Sequence, residues 1–162
     1  MSTGSENEAC DMDLIGALGE ARDDVLTDAS GALRRAHLAH YEASGSETSH
    51  ERLADLFALV VESLKERNLG PMTRYVEHVA RERFNAGFDI GEVQTAFNVL
   101  EEAIWRVVIP RVPPADLVES AGLVGTVLGV GKDTLAREWV SIATSQRVPS
   151  LDLTALFEGV AG

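Results

Sequence analysis

The sequence predicts an all-α fold, a bundle of about five to six helices. Three observations carry that reading. Apolar residues recur at helical spacing in segment after segment, Gly, Pro and Asn punctuate those segments, and no stretch alternates apolar with polar residues as a half-buried strand would. The chain's 162 residues, 45% of them hydrophobic with 5 prolines, suffice for one domain with its own core and leave no room for a second.

Residues 1 to about 12 carry Glu6, Glu8 and Asp11, with Asp13 following, and no base. With so few apolar groups to anchor it, this leader is expected to be disordered. A single helical domain is expected over 13–148, followed by a tail, 149–162, whose Leu153, Leu156, Phe157 and Val160 can form one short docking helix. From Asp13 to about Ala43 the pattern is helical, with Leu14, Leu18, Val25, Leu33 and Ala36 inward and Ser30-Gly31 as a point where it can break. Ser44-Gly45-Ser46 ends it.

Leu53, Leu56, Phe57, Val60, Val61 and Leu64 then form the apolar stripe of an amphipathic helix, with Thr48 or Ser49 available as its N-cap. Asn68-Leu69-Gly70-Pro71 supplies a stop and a restart, because Gly tolerates the left-handed cap and Pro suits a first helical turn. Met72, Tyr75, Val76, Val79 and Ala80 repeat the spacing until Gly87, the expected C-terminal cap. Asp89 opens the next helix, with Glu92 as capping-box partner and Ile90, Val93, Phe97, Leu100, Ile104 and Val107 inward. Val99, Trp105 and Ile109 make its other side apolar too, so it is expected to be buried on more than one face or to meet a partner subunit.

Pro110, Pro113 and Pro114 end that helix and start a last one running to about Gln146, with Leu117, Ala121, Val124, Leu128, Leu135, Trp139 and Ile142 inward. Gly122, Gly125, Gly129 and Gly131 lie inside it, each costing about 1 kcal/mol against Ala. A close helix crossing, a kink or a void for a ligand would account for them.

Charge and motifs exclude several functions. With 14 Lys+Arg against 26 Asp+Glu the net charge is -12, which repels a phosphate backbone, so no nucleic-acid partner is expected. The longest uncharged run, Ser120 to Gly131, is 12 residues, against the ~20 that a membrane-spanning helix needs. No apolar segment follows the opening MSTGSENEACDMD, and Cys10 is the only cysteine; a cytoplasmic protein without disulfides is the expectation. Gly125 to Asp133 fails as a phosphate loop, since Thr126 stands where its first Gly is required, Asp133 follows Lys132, and no strand precedes it.

The histidines give no metal pattern. His37 and His40 are three apart, and Glu47 precedes His50 by three, but a di-metal bundle site needs two such Glu-x-x-His pairs and two more glutamates. Surface or hydrogen-bonded histidines are the expectation, with His78, beside Val76, Val79 and Ala80, the one candidate for an axial haem ligand. No nucleophile and base are suggested by spacing, so no enzyme is expected and no catalytic residue or metal is assigned. Arg81 and Arg83 are expected to cap carbonyls and pair with acids on a neighbouring helix, or else to touch a partner.

At this junction the chain resembles a known family. Arg83-Phe84-Asn85-Ala86-Gly87-Phe88-Asp89-Ile90-Gly91-Glu92-Val93, followed by Ala96-Phe97, Leu100 and Ile104-Trp105, is similar to the signature of the RsbRD N-terminal domain family, with Arg83, Gly87, Asp89 and Glu92 as its junction residues. More loosely, the resemblance extends from about Leu33 to Gln146. It implies a globin-like bundle that binds no haem in its RsbR relatives, often dimerises, precedes an output domain and relays stress signals by protein contacts. About 16 residues follow the last long helix, too few for an output domain, so either a stand-alone sensor or a piece of a longer protein is expected.

The function expected is therefore a non-enzymatic sensory and interaction module of bacterial signalling, without cofactor, working through protein partners and as a homodimer. Phe97, Leu100, Ile104, Val124 and Leu128 are its candidate interface. The alternative is a small-ligand or haem sensor with a pocket near His78, Trp105, Trp139 and Gly125.

Overall fold

A computed structural model describes the chain over residues 4–147, with side chains described from Leu14 to Ser145; the expected docking helix in 149–162 lies outside the described residues. Six α-helices follow one another: α1 (Gly4–Arg35), α2 (Ala39–Ser44), α3 (Ser46–Glu66), α4 (Gly70–Asn85), α5 (Ile90–Val107) and α6 (Leu117–Arg147). Two single 3₁₀ turns, Ile109–Arg111 and Pro114–Asp116, join α5 to α6, and no strand occurs among the described residues. The all-α bundle is thus as the periodicity predicts.

The first helix departs from the expected boundaries at both ends. It begins at Gly4 instead of near Asp13, so most of the stretch read as a disordered leader has helical backbone. Ser30-Gly31 does not interrupt it. The break falls at Ala36–Leu38, where His37 takes a left-handed φ of 49°. Ala36, expected inward, is therefore exposed.

Gly45, at φ 86°, separates α2 from α3, a conformation available to glycine at no steric cost. Because α3 starts at once, Ser49 lies inside its first turn and its hydroxyl donates back to the Gly45 carbonyl at 3.0 Å, so neither Thr48 nor Ser49 is the N-cap. Pro71 occupies the first turn of α4, as expected.

The core lies where α1 packs on α3 and α5, and α4 and α5 pack on α6. Leu18, Val25, Leu26, Val60, Met72, Val76, Leu100, Ile104, Leu128 and Leu135 are fully buried in it. Each such side chain contributes about 1.5–3 kcal/mol of transfer free energy. Gly131 lets α6 come close here, since a Cβ at that position would sit 2.7 Å from Phe97 Cε1 and 3.4 Å from Met72 Sδ.

This packing corrects the expected dimer interface. Phe97 is 3% exposed and Leu100, Ile104, Val124 and Leu128 are 0%, so these five fill the interior of one chain and have no surface to offer a second. The double-sided apolar character of α5 is explained by its neighbours within the chain, α1 on one side and α6 on the other.

Between helices the surface is tied by Arg106 to Asp28 at 2.7 Å, Arg111 to Asp24 at 3.2 Å, Arg81 to Glu138 at 3.3 Å, and Lys132 to Glu101. Exposed pairs of this kind contribute at most about 1 kcal/mol each. No helix among the described residues is long and apolar enough to cross a membrane.

Candidate functional site at the junction of α2, α4 and α5

Sequence dictates the turn between α4 and α5 residue by residue. Gly87 adopts φ 84°, the Phe88 N–H donates to the Arg83 carbonyl at 3.0 Å and the Gly87 N–H to the Phe84 carbonyl at 3.1 Å. That pair of bonds is a Schellman motif, with Gly87 at its left-handed position. Asp89 then caps α5, its Oδ1 accepting from the Gly91 N–H at 2.7 Å while Glu92 Oε2 accepts from the Asp89 N–H at 3.0 Å. This is the capping box that the sequence predicts.

Glu92 also reaches across to α2. Its Oε1 accepts from the His40 backbone N–H at 3.2 Å, and its Oε2 from the His40 ring Nδ1 at 2.8 Å. Burial works to raise the Glu92 pKa, but the hydrogen bonds from Asp89 and His40, together with the charge of the His40 ring, outweigh it and hold the carboxyl below its ordinary value. An ionised carboxylate can only accept, so the His40 proton sits on Nδ1.

Phe88, buried at 9% exposure, is the hub on which three elements meet. The His40 ring stacks on it at 4.7 Å, Tyr41 meets it edge-on at 5.4 Å, and the Arg83 guanidinium lies over it at 5.3 Å. Such aromatic and cation–π contacts add about 0.5–1.5 kcal/mol each to the burial itself. Arg83 is only 5% exposed and pairs with Glu82, yet its Nε, buried as well, has no hydrogen-bond partner.

Behind this hub lies a cavity of about 30 Å³, walled by Tyr41, Ser49, Arg52, Tyr75 and Arg83 on its polar side and by Leu53, Val93 and Phe97 on its apolar side. Burial raises the pKa of Tyr41 and of Tyr75, in the second case with help from Asp55, so both phenols stay protonated donors well into the alkaline range. Burial lowers the pKa of Arg52, and the nearby positive charge of Arg83 lowers it further. A wider groove of about 360 Å³ runs beneath α2, between Leu33, His37 and Ser46, and shares the Tyr41 and Ser49 wall with the small cavity.

Of the residues singled out from sequence, Arg83, Gly87, Asp89 and Glu92 are brought together in this junction. The candidate ligand pocket is not assembled. His78 faces solvent on α4, its side chain 79% exposed and 3.9 Å from Glu82, where an axial ligand would have to face the bundle interior. Trp105 is half-buried on α5, Trp139 packs edge-on against Phe84 at 5.3 Å on α6, and Gly125 has an open face; none of the four lines either cavity.

The other histidines are hydrogen-bonded, His37 to Glu42 at 2.9 Å and His50 to Ser30 at 3.0 Å. No group of three metal-ligating residues occurs among the described residues. Arg81 reaches α6, as one of its two expected roles required, and Arg83 turns inward instead.

Sequence reasoning missed His40, Tyr41, Arg52, Tyr75 and Phe88 as members of one site. Phe88 stood in the family motif, Tyr75 in the apolar stripe of α4 and His40 three residues from His37, but nothing local joined them to Tyr41 and Arg52, since the contacts span up to 52 positions along the chain.

A family model described as the RsbT co-antagonist protein rsbRD N-terminal domain matches residues 23–130. The matched span runs from within α1 to Val130 in α6 and takes in the whole junction. Neither the search of curated proteins nor that of solved structures gave a match. With two thirds of its length, the Arg83 to Glu92 turn included, matching one family, the chain belongs to the RsbRD N-terminal domain family, a family of signalling regulatory domains.

Proposed function

We propose that the chain is a regulatory interaction module of a stress-signalling system, acting in the cytoplasm by protein contacts, and that it pairs with a second copy through the outer face of α6. One observation carries the placement. Gly122, Gly125 and Gly129 have nothing within 4 Å of where a Cβ would stand, unlike Gly131, whose missing Cβ is used by Phe97. Three interior glycines that destabilise the helix by about 1 kcal/mol each, with no use inside the chain, fit a face kept flat for another helix.

Val118, Gly122, Gly125 and Gly129 follow one another at spacings of four, three and four, and Val140 falls on the same face. Val118 and Val140, at 87% and 65%, are the large apolar side chains left exposed among the described residues. Matching glycine-flanked valines across a two-fold axis would let two α6 helices cross closely and cover these side chains. A change at the junction of α2, α4 and α5 would reach that face through α4, which packs along α6.

Light scattering on the purified chain tests this reading. A dimer that becomes monomeric, with unchanged helical circular dichroism, in Gly125→Leu and Gly129→Leu variants is the expected result. A wild-type chain that stays monomeric at high protein concentration, or variants that remain dimeric, would overturn it.

A further inference from the structure

We infer that the cavity between α2, α3, α4 and α5 is a binding site for a small, planar, singly charged oxyanion of the size of formate, nitrate or bicarbonate. Two guanidinium groups, Arg52 and Arg83, line it. Arg83 is 5% exposed, and its buried Nε is without a hydrogen-bond partner. A buried N–H left unpaired is destabilising, more so on a charged group, so an acceptor brought within reach of the Arg83 guanidinium has a large effect.

The remaining polar wall matches such a ligand. Tyr41 and Tyr75 hold their hydroxyl protons and Ser49 adds a third hydroxyl, while no carboxylate lines the cavity. Glu82 offsets Arg83 from a half-exposed position outside it, and Arg52 has only the Ser44 hydroxyl at 3.4 Å. The two guanidiniums are the charged groups among the lining residues, with Glu82, Glu92 and Asp55 standing outside the wall.

Size narrows the class further. A volume of about 30 Å³ accepts roughly two water-sized groups by the usual measure of about 10–15 Å³ for one. That favours a ligand of few heavy atoms, formate most closely, over the bulkier sulfate or a phosphate ester. A planar oxyanion is also the shape that a guanidinium fork grips through two parallel N–H groups. The shared Tyr41 and Ser49 wall gives it a route in from the groove under α2, and an occupant would press on the element that His40 and Glu92 tie to α5.

This site stands independently of the α6 contact, and the test separates the two. The full chain is titrated by calorimetry with sodium nitrate, sodium formate and sodium bicarbonate, with sodium sulfate at matched ionic strength as the control. Saturable binding of at least one monoanion, absent with sulfate, is expected, with Kd weakened about tenfold or more in Arg52→Gln through loss of a charge-assisted hydrogen bond. Tyr75→Phe, which keeps the packing, is expected to weaken it less.

No saturable heat with any of the three monoanions in a folded protein would mean that the cavity takes water only and would overturn the assignment. So would binding unchanged in both variants. If Arg52→Gln fails to fold, Tyr75→Phe alone decides between a weakened and an unchanged Kd.

Discussion

Glu92 accepts three hydrogen bonds, one from the start of its own helix and two from His40 on α2, so a single carboxylate closes the capping box and clamps two elements. Replacing it by Ala removes a helix cap and leaves the His40 groups without their acceptor, and urea unfolding is expected to show a loss of about 2–3 kcal/mol. The pH dependence has a definite sign. The folded pKa is held below the ordinary 4.5, so this stabilisation is fully present above that pH and is lost as the pH falls through the folded value. Glu92→Gln is expected to flatten that acid limb of the stability curve.

Tyr41 and Tyr75 act in the opposite range. Their folded pKa values are raised above 10.0, so their stabilisation is present below that pH and is lost as the pH rises through the folded values. Titration of phenolate absorbance is expected to show both of the chain's tyrosines ionising late, together with unfolding, and Tyr41→Phe to remove one of them. Gly87 completes the residue scale. Its Cβ would stand 3.7 Å from His40 Nε2, which is ordinary contact, so Gly87→Ala is expected to lose about 1 kcal/mol from the φ of 84° alone.

Among the elements, α6 places two kinds of glycine in one helix. At Gly131 an added methyl would overlap Phe97, so Gly131→Ala is expected to destabilise the chain by about 1–3 kcal/mol. At Gly122, which meets nothing within 4 Å, the same change adds helix propensity with no clash and is expected to stabilise the diluted protein by about 1 kcal/mol. Thermal melts of the two variants at low protein concentration check the opposite signs. α1 teaches a related lesson about where helices end. A Ser-Gly pair lies unbroken within it, and the chain turns instead at His37, left-handed at φ 49° just ahead of α2, a position where propensity gives no warning.

The whole molecule is a bundle in which α5 is covered from two sides, and that arrangement decides what its apolar residues do. Leu128→Ala is expected to cost about 2–5 kcal/mol, as for any leucine in a closed core. Phe97→Arg and Leu128→Arg are expected to unfold the chain, since they would bury an unpaired charge, and circular dichroism would show the loss of helix before any change of oligomeric state. The sequence by itself determined the helices from α3 to α6, because periodicity, the Asp89 capping box, the Gly87 turn and Pro71 are local signals that need no partner. It also determined the family, because the Arg83 to Glu92 turn is one contiguous motif. Only the tertiary structure decided which apolar faces meet within the chain, and so moved Phe97, Leu100, Ile104, Val124 and Leu128 from interface to core. An apolar stripe records that a face is buried and carries no mark of what buries it. The same holds for the cavity at Arg52 and Arg83, whose walls come from four helices and meet only when those helices pack.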